Sequence, residues 1–281
     1  MTQVNYSEWI GRQETQQDLI LDTKVQALAA TLDADVVSEE GAPLPPLWHW
    51  IFFNPMHKAS ELGHDGHAKK GGFLPPIDLP RRMWAGGRFE FIEPLRIGDK
   101  VSRVSTIKNV VLKEGKSGKL AFVTVEHDIR GETGGHWREE HDIVYREAPV
   151  EPWKAPEHPV IDEEECDFYR NIEPDPVLLF RYSALTFNGH RIHYDREYCQ
   201  QEEGYPGLIF HGPLTATFLM ELVRSKKEIK KFKFKALRPL FDHLSCSVHG
   251  RTDGDRVLLW AKDSMQQRAM EAEAWTQTSI K

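Results

Sequence analysis

The chain is expected to be an α+β protein whose long antiparallel strands wrap around one dominant buried helix in each of two halves. Three observations lead there. Stretches of alternating apolar and polar residues close each half, which is the period of a half-buried strand. Residues 214–223, Leu-Thr-Ala-Thr-Phe-Leu-Met-Glu-Leu-Val, are too apolar for a surface helix. The segment Ala148-Pro-Val-Glu-Pro-Trp-Lys-Ala-Pro-Glu-His-Pro159 carries four prolines, which remove backbone donors and forbid both helix and central strand. It separates a unit of residues 1–148 from one of residues 166–281, with 149–165 as linker.

The elements of the two units come in the same order. Residues 19–32 and 176–186 are helix-compatible, and each leads to a proline-containing loop, Pro43-Leu-Pro-Pro-Leu47 and Tyr205-Pro-Gly207. Phe89-Glu-Phe-Ile-Glu-Pro-Leu95 and Phe234-Lys-Ala-Leu-Arg-Pro-Leu240 then share Phe, Pro and Leu, and each precedes a strand-like stretch, 99–110 and 243–250. The turn Glu114-Gly-Lys-Ser-Gly118 suits a hairpin into 120–130, where Phe122, Val123, Val125, His127 and Ile129 mark the alternation. Residues 137–146 and 257–263 read the same way. This shared order points to an ancient duplication.

Composition narrows the class. Of 281 residues, 40% are hydrophobic and 28% charged, the balance of a globular protein, and no apolar run is long enough to span a membrane. The first residues, MTQVNYSEWIGRQETQQ, have neither the layout of a signal peptide nor that of a transit peptide. Three scattered cysteines make no disulfide framework and fit a reducing compartment. The expected location is the cytoplasm, or the mitochondrion in a eukaryote. A net charge of -7 gives no global attraction to nucleic acid.

Chemistry concentrates in Arg181-Tyr-Ser-Ala-Leu-Thr-Phe-Asn-Gly-His-Arg-Ile-His-Tyr-Asp195 and Tyr205-Pro-Gly-Leu-Ile-Phe-His-Gly-Pro213. A polar cluster facing the amino end of a buried helix can hold a thioester carbonyl and a water molecule. His193 is suited to exchange a proton with that water near neutral pH, or it is a loop-capping histidine. Asn188 cannot titrate but can orient the water. The first N–H groups of a helix lack partners and carry partial positive charge, so the Gly212 N–H can stabilise an enolate oxygen. Gly212 can also serve close packing. Pro213 fits the first turn, and Asp195 reads first as an N-cap and second as a catalytic carboxylate. Arg191, Arg81 and Arg82 are cations for a free substrate carboxylate. The basic run Arg224-Ser-Lys-Lys-Glu-Ile-Lys-Lys-Phe-Lys-Phe-Lys235 can meet phosphates or, more simply, complement the negative end of the helix. Gly115-Lys-Ser-Gly-Lys119 is no phosphate loop, because Val110 stands where the first glycine is required. His57, His64, Asp65 and His67 match no zinc spacing and lie among glycines, so no metal is expected.

A helix, a histidine loop, Pro-Gly-x-x-x-His-Gly, an apolar helix and a Phe-x-x-x-x-Pro-Leu strand together resemble the MaoC-like branch of the hot-dog fold. That branch contains R-specific enoyl-CoA hydratases and hydroxyacyl-thioester dehydratases. Phe73-Leu-Pro-Pro-Ile-Asp-Leu-Pro-Arg-Arg-Met-Trp-Ala-Gly-Gly87 resembles the degenerate partner domain of double hot-dog hydratases. Residues 178–213 with 81–87 are most similar to the group of mesaconyl-C4-CoA and itaconyl-CoA hydratases.

The resemblance implies a double hot-dog, two tandem antiparallel sheets each wrapped around a central helix, with the chemistry in the C-terminal unit. In the family the loop reads Asp-x-Asn-Pro-x-His, and its Asp and His grip the catalytic water. Here the His is His193, but Asn188 takes the Asp position and His190 the Asn position. The implied catalytic residues are therefore His193, Asn188 and Gly212, and the implied substrate-binding residues are Arg191, His190, His211, Tyr205, Arg81 and Arg82. The implied reaction is reversible hydration of an unsaturated acyl-CoA, a branched C5 dicarboxylic one, with no cofactor beyond the substrate's coenzyme A. A homodimer is compatible with this; nucleic acid and membrane partners are not expected. Two alternatives stay open: a dehydratase acting on acyl-carrier-protein thioesters, with a deep apolar tunnel, and a non-catalytic acyl-CoA binding module.

Overall fold

The computed structural model describes residues 6–115, 118–148, 153–154 and 164–276. The N-terminal half contains β1 (Gln13–Leu19), α1 (Asp22–Leu32), β2 (Arg81–Glu93), β3 (Lys100–Gly115), β4 (Gly118–Gly131) and β5 (His136–Arg146). The C-terminal half contains β6 (Phe168–Ile172), α2 (Pro176–Leu185), α3 (Arg196–Gln201), α4 (Gly212–Arg224), β7 (Lys231–Ala236), β8 (Cys246–Asp253), β9 (Arg256–Lys262) and β10 (Arg268–Trp275). All ten strands join one antiparallel sheet in the order β1-β3-β4-β5-β2-β7-β10-β9-β8-β6.

That order reads the same from either end once each N-terminal strand is exchanged for its C-terminal counterpart. The expected double hot-dog is present, with its halves sharing one sheet through β2 and β7. At the seam Gly87 faces Phe234 and Phe89 faces Phe232. Arg88 faces Lys233, its own counterpart in the repeat, so the local two-fold axis passes between them. Like charges opposite one another would repel, but Arg88 pairs with Glu140 and Asp142, and Lys233 with Glu273.

Helix α4 is the central helix of the C-terminal half. It starts at Gly212-Pro213, and Leu214, Ala216, Phe218, Leu219, Met220 and Val223 are buried against β8, β9 and β10. By chain order its N-terminal counterpart is only a 3-10 turn, Trp48–Ile51. Left-handed Leu47 (φ 70) and Phe53 (φ 55) bracket this turn and Pro55 follows, so a longer helix has no room between them. The expected central helix is therefore realised in one half only. In the other, Trp48, Ile51 and Phe52 plug the core, and the Trp48 indole donates to Glu221 of α4 at 2.8 Å.

Most of the proline-rich seam lies outside the described residues. Trp153 within it packs on Phe241 at 4.8 Å and donates its backbone N–H to Gly204 at 3.0 Å. The turn residues 116–117 also lie outside, although β3 and β4 pair up to Gly115 and Gly118 on either side.

Candidate active site

Asp175 caps α2 by accepting the Leu178 N–H at 2.7 Å. The helix ends in a left-handed Phe187 (φ 51), which turns the chain back so that the Asn188 N–H reaches Ser183 O at 2.8 Å. Asn188 Oδ1 then accepts the His190 N–H at 3.0 Å, and a 3-10 turn, Arg191–His193, follows. The loop thus uses the amide oxygen of Asn188 for its own shape and leaves the Nδ2 donor to the cavity that Asn188 lines.

His193 is 7% exposed, and its Nδ1 lies 2.8 Å from Ile209 O. A carbonyl only accepts, so Nδ1 carries the hydrogen and Nε2 holds the lone pair. The His211 ring stacks on His193 with centroids 3.6 Å apart, and its Nε2 meets Ser183 Oγ at 2.9 Å. Burial, aided by the charge of His190, pushes His193 down to about 3. Burial and then His67 do the same to His190, also to about 3. Burial holds His211 well below the usual histidine range. All three imidazoles are neutral at pH 7.

Gly212 follows His211 and opens α4. Among the described residues its N–H has no acceptor. A Cβ there would meet only Trp84 O, at 4.0 Å, so packing alone does not require a glycine. His211 and Pro213 on either side line a cavity of about 870 Å³ that runs into the N-terminal half, past Trp50, Phe53, Arg82, Trp84, Arg103 and Tyr145.

The structure separates the expected cations. Arg191 spends Nε and Nη2 on Asp195, at 3.0 and 2.8 Å, stacks on Tyr198 and does not line the cavity. Arg81 pairs with Glu203 at 2.7 Å over the Tyr205 ring, and Tyr205 itself meets Arg146 and Phe241. Arg191, Arg81 and Tyr205 therefore sit outside the cavity, because nearby carboxylates and rings hold them. Arg82, one residue along the strand from Arg81, points to the opposite face. It lines the cavity beside Asn188, hydrogen-bonds the Tyr145 hydroxyl and has no carboxylate partner among the described residues. Asp195 caps α3 as expected, accepting the Tyr198 N–H at 3.0 Å.

The basic run ends up far from this site. It starts at the carboxyl end of α4, opposite Gly212, and pairs internally: Arg224 with Glu221, Lys230 with Glu228, Lys231 with Glu90. Sequence reasoning missed Arg103, which lines this cavity, His67, which lines an adjoining one of about 780 Å³, and Trp84, which lines both. Arg103 stands in ordinary strand pattern with no motif around it, whereas Trp84 lies within the 73–87 segment already singled out.

Two clusters have donor atoms within 4.8 Å of one another, close enough to hold a metal ion: Asp65, His67 and His190, and His127, Glu139 and His141. In the second, burial would raise Glu139, but His141 and His49 outweigh it and keep the carboxyl well below its usual range. In the first, the positive charge of Arg82 acts on both imidazoles, which opposes a cation.

A family model described as hydroxyacyl-thioester dehydratase type 2 matches residues 47–242. Mesaconyl-C(4)-CoA hydratase of Chloroflexus aurantiacus is 48% identical over 265 residues, covering 93% of this chain and 94% of that protein. A MaoC-like dehydratase from Phytophthora capsici superposes with a TM-score of 0.71 at 14% identity, over 99% of this chain and 100% of the other. A Mycobacterium tuberculosis protein described as a double hot-dog fold gives 0.55 at 11% identity, over 95% and 96%. At such identities the solved structures speak to fold alone.

Proposed function

The chain belongs to the hydroxyacyl-thioester dehydratase type 2 family, and on that premise we propose that it is a hydro-lyase adding water reversibly to an α,β-unsaturated acyl-CoA. The observation that carries this reading is the adjacency of a neutral, Nδ1-tethered His193 and the unpartnered N–H of Gly212, linked through the stacked His211. Water adds its oxygen to the β carbon while His193 Nε2 takes its proton. The π electrons move onto the thioester oxygen, where the Gly212 N–H and the positive end of α4 hold the enolate. The imidazolium and the enolate form together, so the buried site gains no net charge. That offsets a resting pKa too low for an ordinary general base. Asn188 Nδ2 donates to the water and positions it. Addition of water leaves the overall oxidation state unchanged and calls for no redox cofactor.

The substrate class we assign is a branched C5 dicarboxylic thioester of the mesaconyl-C4 or itaconyl type, giving a citramalyl thioester. Two things support this: the relative named for mesaconyl-C(4)-CoA, and Arg82, a cavity cation with no carboxylate partner among the described residues. A long linear chain on a carrier protein would call for an apolar tunnel, whereas this cavity also carries Glu14, Asp18, Lys70 and Arg103. Purified protein is to be assayed against crotonyl-, octenoyl-, mesaconyl-C4- and itaconyl-CoA. Preference for a dicarboxylic ester, with KM rising at least about tenfold in Arg82→Met, is the expected result; preference for crotonyl or longer linear chains sinks the assignment.

A further inference from the structure

Residues 52–80 connect the turn Trp48–Ile51 to β2, whereas α4 reaches β7 through residues 225–230 alone. The extra chain does not hang free; it is latched to the histidine loop of the other half. Asp65 O accepts the Arg191 N–H at 2.9 Å, and the Arg191 guanidinium donates to His64 O at 3.3 Å. Gly66 (φ +85) lies so close to Gly189 that a Cβ on it would stand 1.9 Å from the Gly189 oxygen.

The latch joins two loops of the same Asx-Gly-His pattern, Asp65-Gly66-His67 and Asn188-Gly189-His190. In each, the first residue's Oδ1 accepts the backbone N–H of the histidine two places on, at 3.0 Å in both. The two imidazoles lie against one another with centroids 4.0 Å apart and planes tilted by 37°. The carboxylate that Asn188 lacks therefore stands at the matching position of the opposing loop. Asp65 Oδ2 accepts from His67 Nδ1 at 3.1 Å, and His67 lines a cavity wall with Asn188 and Arg82.

Resting on the hydratase reading above, we propose that His67 is a second acid–base group of the site and that Asp65 positions it. In hydration the water O–H bond breaks, its proton goes to His193 Nε2 and its oxygen bonds to the β carbon. The enolate then forms a C–H bond at the α carbon with a proton from His67 Nε2. One proton returns from His193 to His67 through solvent, which resets both groups; dehydration runs the steps backward. Burial depresses both histidines, and of the two His67 alone has a carboxylate at hydrogen-bonding distance opposing the effect, so it takes up a proton more readily than His193 does. Burial would raise Asp65, yet the hydrogen bond and charge of His67 outweigh it and keep the carboxyl ionised.

The test compares wild type with Asp65→Asn, His67→Gln and the double variant D65N/N188D, on whichever ester of the panel wild type hydrates. Turnover and KM are read on protein whose melting curve matches wild type. H67Q is expected to lower kcat at least about 100-fold with KM within about threefold. D65N is expected to lose about tenfold, and D65N/N188D to regain most of that, because it moves the carboxylate to the facing loop. A merely structural role predicts no such rescue. Single variants turning over within threefold of wild type, or a folded double variant no better than D65N, overturn the proposal. Where a single variant does not fold, the double variant decides alone: kcat within tenfold of wild type supports the pair, and anything lower overturns it. A wild-type protein inactive on every ester would defeat the hydratase reading itself, and this proposal with it.

Discussion

His193 stays neutral because it is buried, and that neutrality has a thermodynamic signature. In the unfolded chain this imidazole binds a proton below pH 6.5; in the folded chain it resists until about 3. Between those values the unfolded state holds more protons, so stability rises with pH and is lost as pH falls through the window. One such group contributes a slope of about 1.4 kcal/mol per pH unit. Urea unfolding of wild type and His193→Gln at pH 7, 6, 5 and 4 is expected to show the variant's slope flattened by roughly that amount. Parallel slopes would contradict the burial described here. At this scale the sequence was legible where spacing brings residues together, as with His193 and Asn188, which both lie near His211 and the start of α4. It was opaque where pairing decides. Arg81, Arg82 and Arg191 are alike in sequence, and only Glu203 and Asp195 tell them apart, by engaging two and leaving Arg82 to the cavity.

Among elements, α2 matters most to the site because its end sets the histidine loop. Asp175→Ala removes the acceptor for the Leu178 N–H and is expected to cost about 1 kcal/mol, lowering Tm by ~2–4 °C in a thermal melt. An unchanged Tm would mean that the cap is dispensable. Strands with a buried face announced themselves, as in β4, where Ala121, Val123, Val125 and Ile129 point inward. The edge strand β1, Gln-Glu-Thr-Gln-Gln-Asp-Leu, buries no residue and so gives no alternation to read. β6 is a five-residue edge strand, too short for a period to register. The stunted N-terminal helix was hidden for another reason. An order of elements shows that a counterpart exists but not how long it is, and the left-handed backbone at Leu47 and Phe53 decides that. The matching of Asp65-Gly66-His67 with Asn188-Gly189-His190 was visible as two Asx-Gly-His triplets, but only the fold brings them together.

For the whole molecule we propose residues 1–148 and 166–281 as the two folding units, the second carrying His193 and Gly212 and the first lending His67 to the same site. Phe89 packs with Phe232 and Phe234 across the seam, at 5.9 and 6.0 Å, and β7 gains a strand neighbour there. Residues 164–281 expressed alone are therefore expected to aggregate through the exposed β7 edge, and to become soluble when co-expressed with residues 1–148. A soluble, monomeric C-terminal fragment on a sizing column would refute this. The two-fold axis between Arg88 and Lys233 is where two separate copies would meet as a dimer. Tethering them on one chain fixes their local concentration, so the interface does not come apart on dilution. It also lifts a restriction on change. A substitution in a symmetric pair is made twice, at both sites together; here it is made once. One half could give up its helix for a cavity and an inserted loop while the other kept the helix end that the chemistry needs.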